Sequence, residues 1–300
     1  GDEQAVEAAI AKAAHVVRMP LHDNRIISNP MEPRGCYAET VGNRLHFAVN
    51  GQGVWGTKRN LARVLGMAPD DIRVTTPDVG GGFGTKAMDY PETYLVAHAA
   101  RVLGQPVRWM ADRGETMLAD NAGRGLDHDL TLAFDADLKI TAYRVDSRVD
   151  LGAYCSTMGQ AIQTDLFSKV LMGVYDVQDT FLHVEGFFTN TAQVDAYRGA
   201  GRPEAIYALE RVMDRAARDL GVDPWDLHRR NFIPAAAFPY VSSTGETYDV
   251  GDFNRVLDRA EAECDRAGFA ARKAESAARG QLRGMGLCYY IESILGNPSE

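Results

Sequence analysis

The sequence predicts an α+β fold in which mixed sheets with long antiparallel strands carry packed helices. Three observations predict it. His128 to Phe134 and Leu138 to Val149 alternate apolar and polar residues on either side of the polar turn Asp135-Ala136-Asp137, the pattern of a long antiparallel hairpin. Pro203 to Leu220 sets Ile206, Leu209, Val212, Met213 and Ala216 on one helical face, between a first-turn proline and a terminal Gly221. Two glycine-rich segments, Val79-Gly80-Gly81-Gly82-Phe83-Gly84-Thr85-Lys86 and Ala196-Tyr197-Arg198-Gly199-Ala200-Gly201-Arg202-Pro203-Glu204-Ala205, each precede a predicted helix.

The remaining elements follow in chain order. Ala5 to Val16 carries Val6, Ala9, Ile10 and Ala13 at helical spacing, and Arg44 to Val49 alternates like a half-buried strand. Thr57 would cap a helix through Leu65 that stops at Gly66, and Ile72 to Thr76 is a β-rich strand feeding the first glycine loop. Asp89, Pro91 and Glu92 open a helix that runs through Tyr94, Val96 and Ala99 to Gly104, after which Pro106 to Met110 returns as a strand. Beyond Phe232 the Pro-, Ala- and Ser-rich run to Gly245 reads as a connection, so a domain boundary falls there: residues 1–233 form one domain, and 234–300 a connection and the start of a second, truncated one. Asp252 to Arg279 is helical, with Phe253, Val256, Leu257 and Ala260 on one face, and Met285 to Ile291 reads as a strand.

Composition excludes several functions. The 41 acidic and 32 basic side chains give a net charge of −9, and the basic ones are scattered, which argues against a nucleic-acid groove. Cys36, Cys155, Cys264 and Cys288 lie far apart with no C-x-x-C pair, so no iron–sulfur cluster or structural zinc is built locally. No apolar run approaches the roughly twenty residues of a membrane span. A cytoplasmic location is the default reading, with the periplasm open for an assembled complex. Both ends of the chain read as cuts in a longer polypeptide.

Glycines in such loops let main-chain N–H groups reach a ligand, and a following helix start adds partial positive charge. Two loops of this design point to one large, oxygen-rich cofactor. Gly80 to Gly84 by itself also fits a plain turn. It is a poor dinucleotide fingerprint, since its glycines are contiguous and no acidic residue ends a second strand about twenty positions on. Gly84-Thr85-Lys86 reverses the Lys-Ser/Thr order of a phosphate loop.

Eight short segments together are more specific: Asn29-Pro30-Met31-Glu32-Pro33-Arg34, Gly51-Gln52, Val79 to Lys86, Tyr90-Pro91-Glu92, Asp150-Leu151-Gly152-Ala153-Tyr154, Ala196 to Ala205, Arg229-Arg230-Asn231 and Tyr248-Asp249. In this order they resemble the large, molybdopterin-binding subunit of the molybdenum hydroxylases, the xanthine dehydrogenase, aldehyde oxidase and carbon monoxide dehydrogenase group. The resemblance implies the first cofactor-binding domain of that subunit. It implies that Gln52 and the backbone of Phe83 hydrogen-bond the oxo ligands of molybdenum, that Gly81, Gly82 and Gly84 let the loop approach, and that Arg198 with Gly199, Ala200 and Gly201 forms a second wall near pterin or substrate. No side chain is expected to ligate the metal directly. Read without the resemblance, Gln52 is also a solvated loop amide, Arg198 an ordinary surface or ion-paired arginine, and Glu204 a dipole-complementing cap.

Departures from the family narrow the chemistry. Gly199 stands where copper-containing members have cysteine. Ala200, Ala87 and Leu166 stand where xanthine-specific members have phenylalanine, glutamate and arginine, which argues against purines and for an aldehyde or an N-heteroaromatic substrate. The family's catalytic glutamate falls beyond Glu300, and Glu292 is not a candidate for it. The implied reaction is oxidative hydroxylation with oxygen from water. The cofactor would be a molybdopterin, in its cytosine dinucleotide form for a bacterial source. Electrons would leave through iron–sulfur and FAD centres on partner subunits or domains, and the C-terminal half of the same polypeptide would complete the site. The alternative for the isolated chain is a non-catalytic cofactor-binding domain.

Overall fold

The structure is a computed structural model that describes residues 1–293. Helix α1 (Glu3–Lys12) starts where the Asp2 carboxylate accepts the Ala5 N–H at 3.1 Å. It ends four residues short of the expected Val16, because His15–Asp23 is drawn into β1, paired over its whole length with β8. The chain continues through β2 (Ile26–Ile27), β3 (Gly35–Val41), β4 (Arg44–Val49) and α2 (Trp55–Leu65) to β5 (Ile72–Thr75). Helix α2 begins two residues before Thr57, whose hydroxyl donates instead to Asp89 at 2.7 Å; its end at left-handed Gly66 is as expected.

Next come α3 (Pro91–Leu103), β6 (Val107–Met110), α4 (Arg113–Ala119), β7 (Ala122–Gly123) and the long strands β8 (Leu126–Phe134) and β9 (Ile140–Gly152). Helix α5 (Gly159–Ala161) runs on as a π turn over Ile162–Leu166 before β10 (Thr180–Phe188), α6 (Arg202–Asp219) and α7 (Pro224–Asn231). A short hairpin of β11 (Tyr240–Val241) and β12 (Thr247–Tyr248) precedes α8 (Phe253–Glu263) and α9 (Phe269–Ala278). These two helices replace the single helical stretch expected over Asp252 to Arg279. The break is at Asp265, whose φ of 48° is left-handed.

Two four-stranded sheets result. One has the order β1-β8-β9-β10, antiparallel except for the parallel pair β9 and β10. The other has the order β5-β4-β3-β6, with β4 and β5 parallel across the α2 connection. Strand alternation decides what each face buries. Leu126, Leu130, Leu132, Tyr143 and Val145 point to one face of the first sheet and pack against Ala205, Leu209, Val212 and Met213 of α6. Ala133 and Ala142 point the other way, where their small side chains admit Val6 and Ile10 of α1, so this sheet carries helices on both faces. In the second sheet Ala38, Leu45, Phe47 and Ile72 pack on Leu61, Val96 and Ala100 of α2 and α3.

The expected strand Met285 to Ile291 is not paired among the described residues. It keeps the two-residue alternation, though: Met285, Leu287, Tyr289 and Ile291 pack on the α6 core, and the Tyr289 N–H donates to Glu210 at 2.8 Å. Glu210 itself is buried with Tyr175 and His228 as partners.

Candidate functional site

The two glycine segments, more than one hundred residues apart, meet face to face. The Arg198 N–H donates to the Phe83 carbonyl at 2.9 Å. The approach is close because Gly84, at φ 100°, has no Cβ: one built there would lie 2.6 Å from the Ala196 carbonyl carbon and overlap its oxygen. Between the loops lies a cavity of about 330 Å³ bounded by Gln52, Phe83, Gly84, Arg198, Gly199 and Ala200. Its opposite wall is apolar, formed by Met158, Ile162 and Leu166. These residues recur every fourth position, Met158 as the N-cap of α5 and Ile162 and Leu166 at the two ends of the π turn that follows it.

The lining supplies hydrogen-bond donors. Gln52 Oε1 accepts the Gly84 N–H at 2.8 Å. A carbonyl oxygen must face that donor, so the Gln52 amide NH2 is the end left for a ligand. The backbone N–H groups of Phe83 and Gly199, one on each loop, have no acceptor among the described residues. The Arg198 side chain has no ion-pair or hydrogen-bond partner among them either, and its guanidinium sits 5.8 Å from the Phe83 ring centroid. Arg198 is exposed, as its surface alternative has it, and its ion-paired alternative finds no partner among the described residues.

Each loop is held from behind by a charged pair. Glu32, from the Asn29 to Arg34 segment, accepts Lys86 Nζ at 2.6 Å and the Gly80 N–H at 3.0 Å. Burial alone would raise the Glu32 carboxyl, but the bonds from Lys86 and Gly80 outweigh it and hold it below the usual range. Tyr90 OH bonds Thr85 Oγ1 at 2.8 Å and accepts the Asn121 N–H at 3.1 Å, while Arg34 covers the Tyr90 ring and pairs with Asp120 at 2.6 Å. Behind the second loop Arg124 pairs with Glu204 at 3.1 Å. Glu204 therefore does more than complement the helix dipole: it is a buried member of an ion pair. Burial raises its carboxyl against the opposing charge of Arg124. Asp23, beside them, is pushed up to about 6, first by burial and then by the charge of Glu204.

The first glycine loop does not lead straight into its helix: a turn follows Phe83, and α3 begins only at Pro91. The second does so directly, with Gly201 as the N-cap of α6. Gln52, Phe83, Gly84, Arg198, Gly199 and Ala200 are brought to one cavity. Gly81 and Gly82 lie in the same loop, Gly82 against the Gln52 side chain, and Gly201 is packed against Leu166 and Phe167. Leu166, which stands where xanthine-specific relatives have arginine in the sequence reading, lines the cavity. Sequence reasoning missed Met88, Met158 and Ile162 in the lining and Arg124 behind it, and gave no role to Arg202 or Glu32, although both fall within the segments that carry the resemblance. The four-residue spacing of Met158, Ile162 and Leu166 and the Gly123-Arg124-Gly125 turn were the available signals.

Among the described residues the lining has no His, Cys, Asp or Glu. A group held here is gripped through its own acceptor atoms by amides and guanidinium, the donor set suited to oxo and phosphate oxygens. Fold and cavity together describe an α+β domain in which two glycine loops wall a donor-lined cavity. Residues 1–232 match the molybdopterin cofactor-binding domain, and the chain belongs to that family. It is 34% identical to the nicotine 6-hydroxylase large subunit of Paenarthrobacter nicotinovorans over 96% of this chain and 36% of that protein. It is 32% identical to the carbon monoxide dehydrogenase large chain of Hydrogenophaga pseudoflava over 100% of this chain and 38% of that one. In structure it superposes on quinoline 2-oxidoreductase from Pseudomonas putida 86 with a TM-score of 0.87 at 33% identity, covering 92% of this chain and 35% of the other. The chain thus spans little more than a third of the length of each of these three relatives. No helix among the described residues is long and apolar enough to cross a membrane.

Proposed function

We propose that this chain holds the molybdopterin of a molybdenum hydroxylase that oxidatively hydroxylates an N-heteroaromatic or aldehyde substrate, with water as the oxygen source. The observation that carries the reading is the convergence of uncommitted donors on one cavity: Gln52 Nε2, the Phe83 and Gly199 N–H groups and the Arg198 guanidinium. When bound, the cofactor supplies the two-electron redox chemistry and the activation of water. The residues of this chain bind and orient. Gln52 and Phe83 would donate to the oxo ligands, Gly81, Gly82 and Gly84 keep that loop close, and Arg198 with the loop from Gly199 to Gly201 would hold pterin oxygens or the substrate.

The substrate class follows from the wall. Met158, Ile162, Leu166 and Ala200 line the cavity with apolar groups, which suit a flat, weakly polar ring. Relatives named for nicotine and quinoline chemistry support this choice. Electron transfer to iron–sulfur and FAD partners, the cytosine dinucleotide form and completion of the site by the downstream polypeptide belong to the same proposal, as does a first domain of about 233 residues. Multisubunit relatives support the partners.

For the chain alone the reading is a cofactor-binding module without turnover. Among the described residues no carboxylate or imidazole lines the cavity, and Glu292 is tied to Arg202 at 2.7 Å, so no general base faces the site. The test is molybdenum and pterin content of the full-length protein from a molybdate-fed host, wild type against Gln52→Ala, followed by a panel of N-heteroaromatics, aldehydes and purines. Stoichiometric metal lost in the variant is expected. Metal absent from the wild type, or purines preferred, overturns the corresponding part.

A further inference from the structure

Arg124 lies outside both glycine loops, in the turn between β7 and β8, and is buried. Its backbone has φ 62°, a conformation disfavoured for any residue with a Cβ and kept only where the surroundings impose it. The side chain shows what imposes it. Nη1 donates to the Tyr197 carbonyl at 3.0 Å and to Glu204 Oε1 at 3.1 Å, Nη2 donates to the Arg198 carbonyl at 3.1 Å, and the guanidinium carbon sits 4.7 Å from the Tyr197 ring centroid. One planar group takes up two consecutive loop carbonyls and the first-turn carboxylate of α6.

Peptide planarity turns this into an orientation. In a trans peptide the C=O and the N–H of the next residue point in opposite directions. The Tyr197 carbonyl aimed at Arg124 sends the Arg198 N–H toward the Phe83 carbonyl, the bond that joins the two loops. The Arg198 carbonyl aimed at Arg124 sends the Gly199 N–H the other way, and Gly199 lines the cavity with that donor uncommitted. We infer that Arg124 is the positioning residue of the site: its guanidinium, held by Glu204, aims the Gly199 N–H into the cavity and sets the loop-to-loop bond. A lysine cannot reproduce this, because a single ammonium lacks the planar fork that serves two carbonyls and a carboxylate at once. The inference rests on the reading of the cavity as a cofactor site.

The experiment uses the full-length protein as wild type, Arg124→Gly, Arg124→Lys and, as a control for loss of a remote ion-pair cluster, Arg144→Met. Amide hydrogen exchange is followed at Arg198 and Ala200, whose N–H groups bond Phe83 and Tyr197, together with molybdenum content and its rate of loss on dilution. Glycine relieves the backbone strain, so a residue that is only strained would leave exchange unchanged or slower on its removal. The expected result is exchange at least tenfold faster at these two amides in both Arg124 variants, with the rest of the chain and the Arg144→Met control within twofold, faster molybdenum loss, and partial restoration of Arg124→Gly by methylguanidinium. Wild-type exchange at both amides in Arg124→Gly and Arg124→Lys overturns the inference. Should Arg124→Gly fail to fold, Arg124→Lys decides by the same readout. Wild-type protein without molybdenum would refute the cofactor reading, and the exchange rates would still decide the role of Arg124.

Discussion

Replacing Gly84 by alanine tests how the two loops create the site. Two costs are separable. At φ 100° any residue with a Cβ is strained, which costs about 1–2 kcal/mol. The added methyl also meets the Ala196 peptide, 2.6 Å from its carbonyl carbon, and neither neighbour is a side chain that can swing away. Relief requires the loops to part by about 1 Å, with an overpacking cost of about 1–3 kcal/mol and loss of the Arg198-to-Phe83 hydrogen bond, worth about 1 kcal/mol. The total is about 3–6 kcal/mol. Gly66→Ala is the control: its φ of 62° is also left-handed, but a Cβ there meets nothing within 4 Å, so only the conformational cost of about 1–2 kcal/mol applies. Urea denaturation followed by circular dichroism measures both, and molybdenum content should fall for Gly84→Ala alone. Equal destabilisation by the two variants would show that the loops do not abut as described, and the site built on their contact would fall with it.

Three further outcomes follow from the charges. Glu32→Gln leaves the Lys86 ammonium, with a side chain only 1% exposed, without its counter-charge; a fully buried pair would lose about 3–5 kcal/mol, and the partly exposed carboxylate reduces this to about 2–3 kcal/mol, read as a lower urea midpoint. His128 is buried with its pKa lowered to about 4 by burial, so the folded state excludes a proton that the unfolded state binds below about 6.5. Stability from this group is therefore present above pH 6.5 and lost as pH falls toward 4; the wild type should lose about 3 kcal/mol relative to His128→Gln over that window, and parallel curves would refute it. Asp23 has the opposite sign: raised from 3.8 to about 6, it costs stability as pH rises through that range. Relative to Asp23→Asn the wild type should lose about 1–2 kcal/mol between pH 4 and 6, after allowance for partial exposure, and no change in the difference would refute it.

Local chemistry settled the elements that needed no distant partner. The strand Arg44–Val49, the stops at Gly66 and Gly104, the hairpin strands around Asp135 and the α6 face were legible because alternation, helical spacing and glycine caps act within a few residues. The family motifs likewise named most of the cavity's donors. Where the sequence reading failed, the cause was long-range: Val16 left its helical stretch to pair with β8, and Met285 to Ile291 kept its alternation but found no strand partner among the described residues.

Only the tertiary structure could decide which groups are free and which are committed. Gln52, Arg198 and Gly199 carry donors in any fold. They are gathered at one cavity because Gly84 lets two loops touch, Glu32 and Arg124 take up the charges and carbonyls behind them, and the N-cap of α5 and the π turn after it supply apolar lining. Those partners lie tens to more than a hundred residues apart, and no periodicity along the chain encodes the direction in which a peptide's N–H will point. That direction is set by what accepts or donates on the peptide's other side, a property of the folded chain alone.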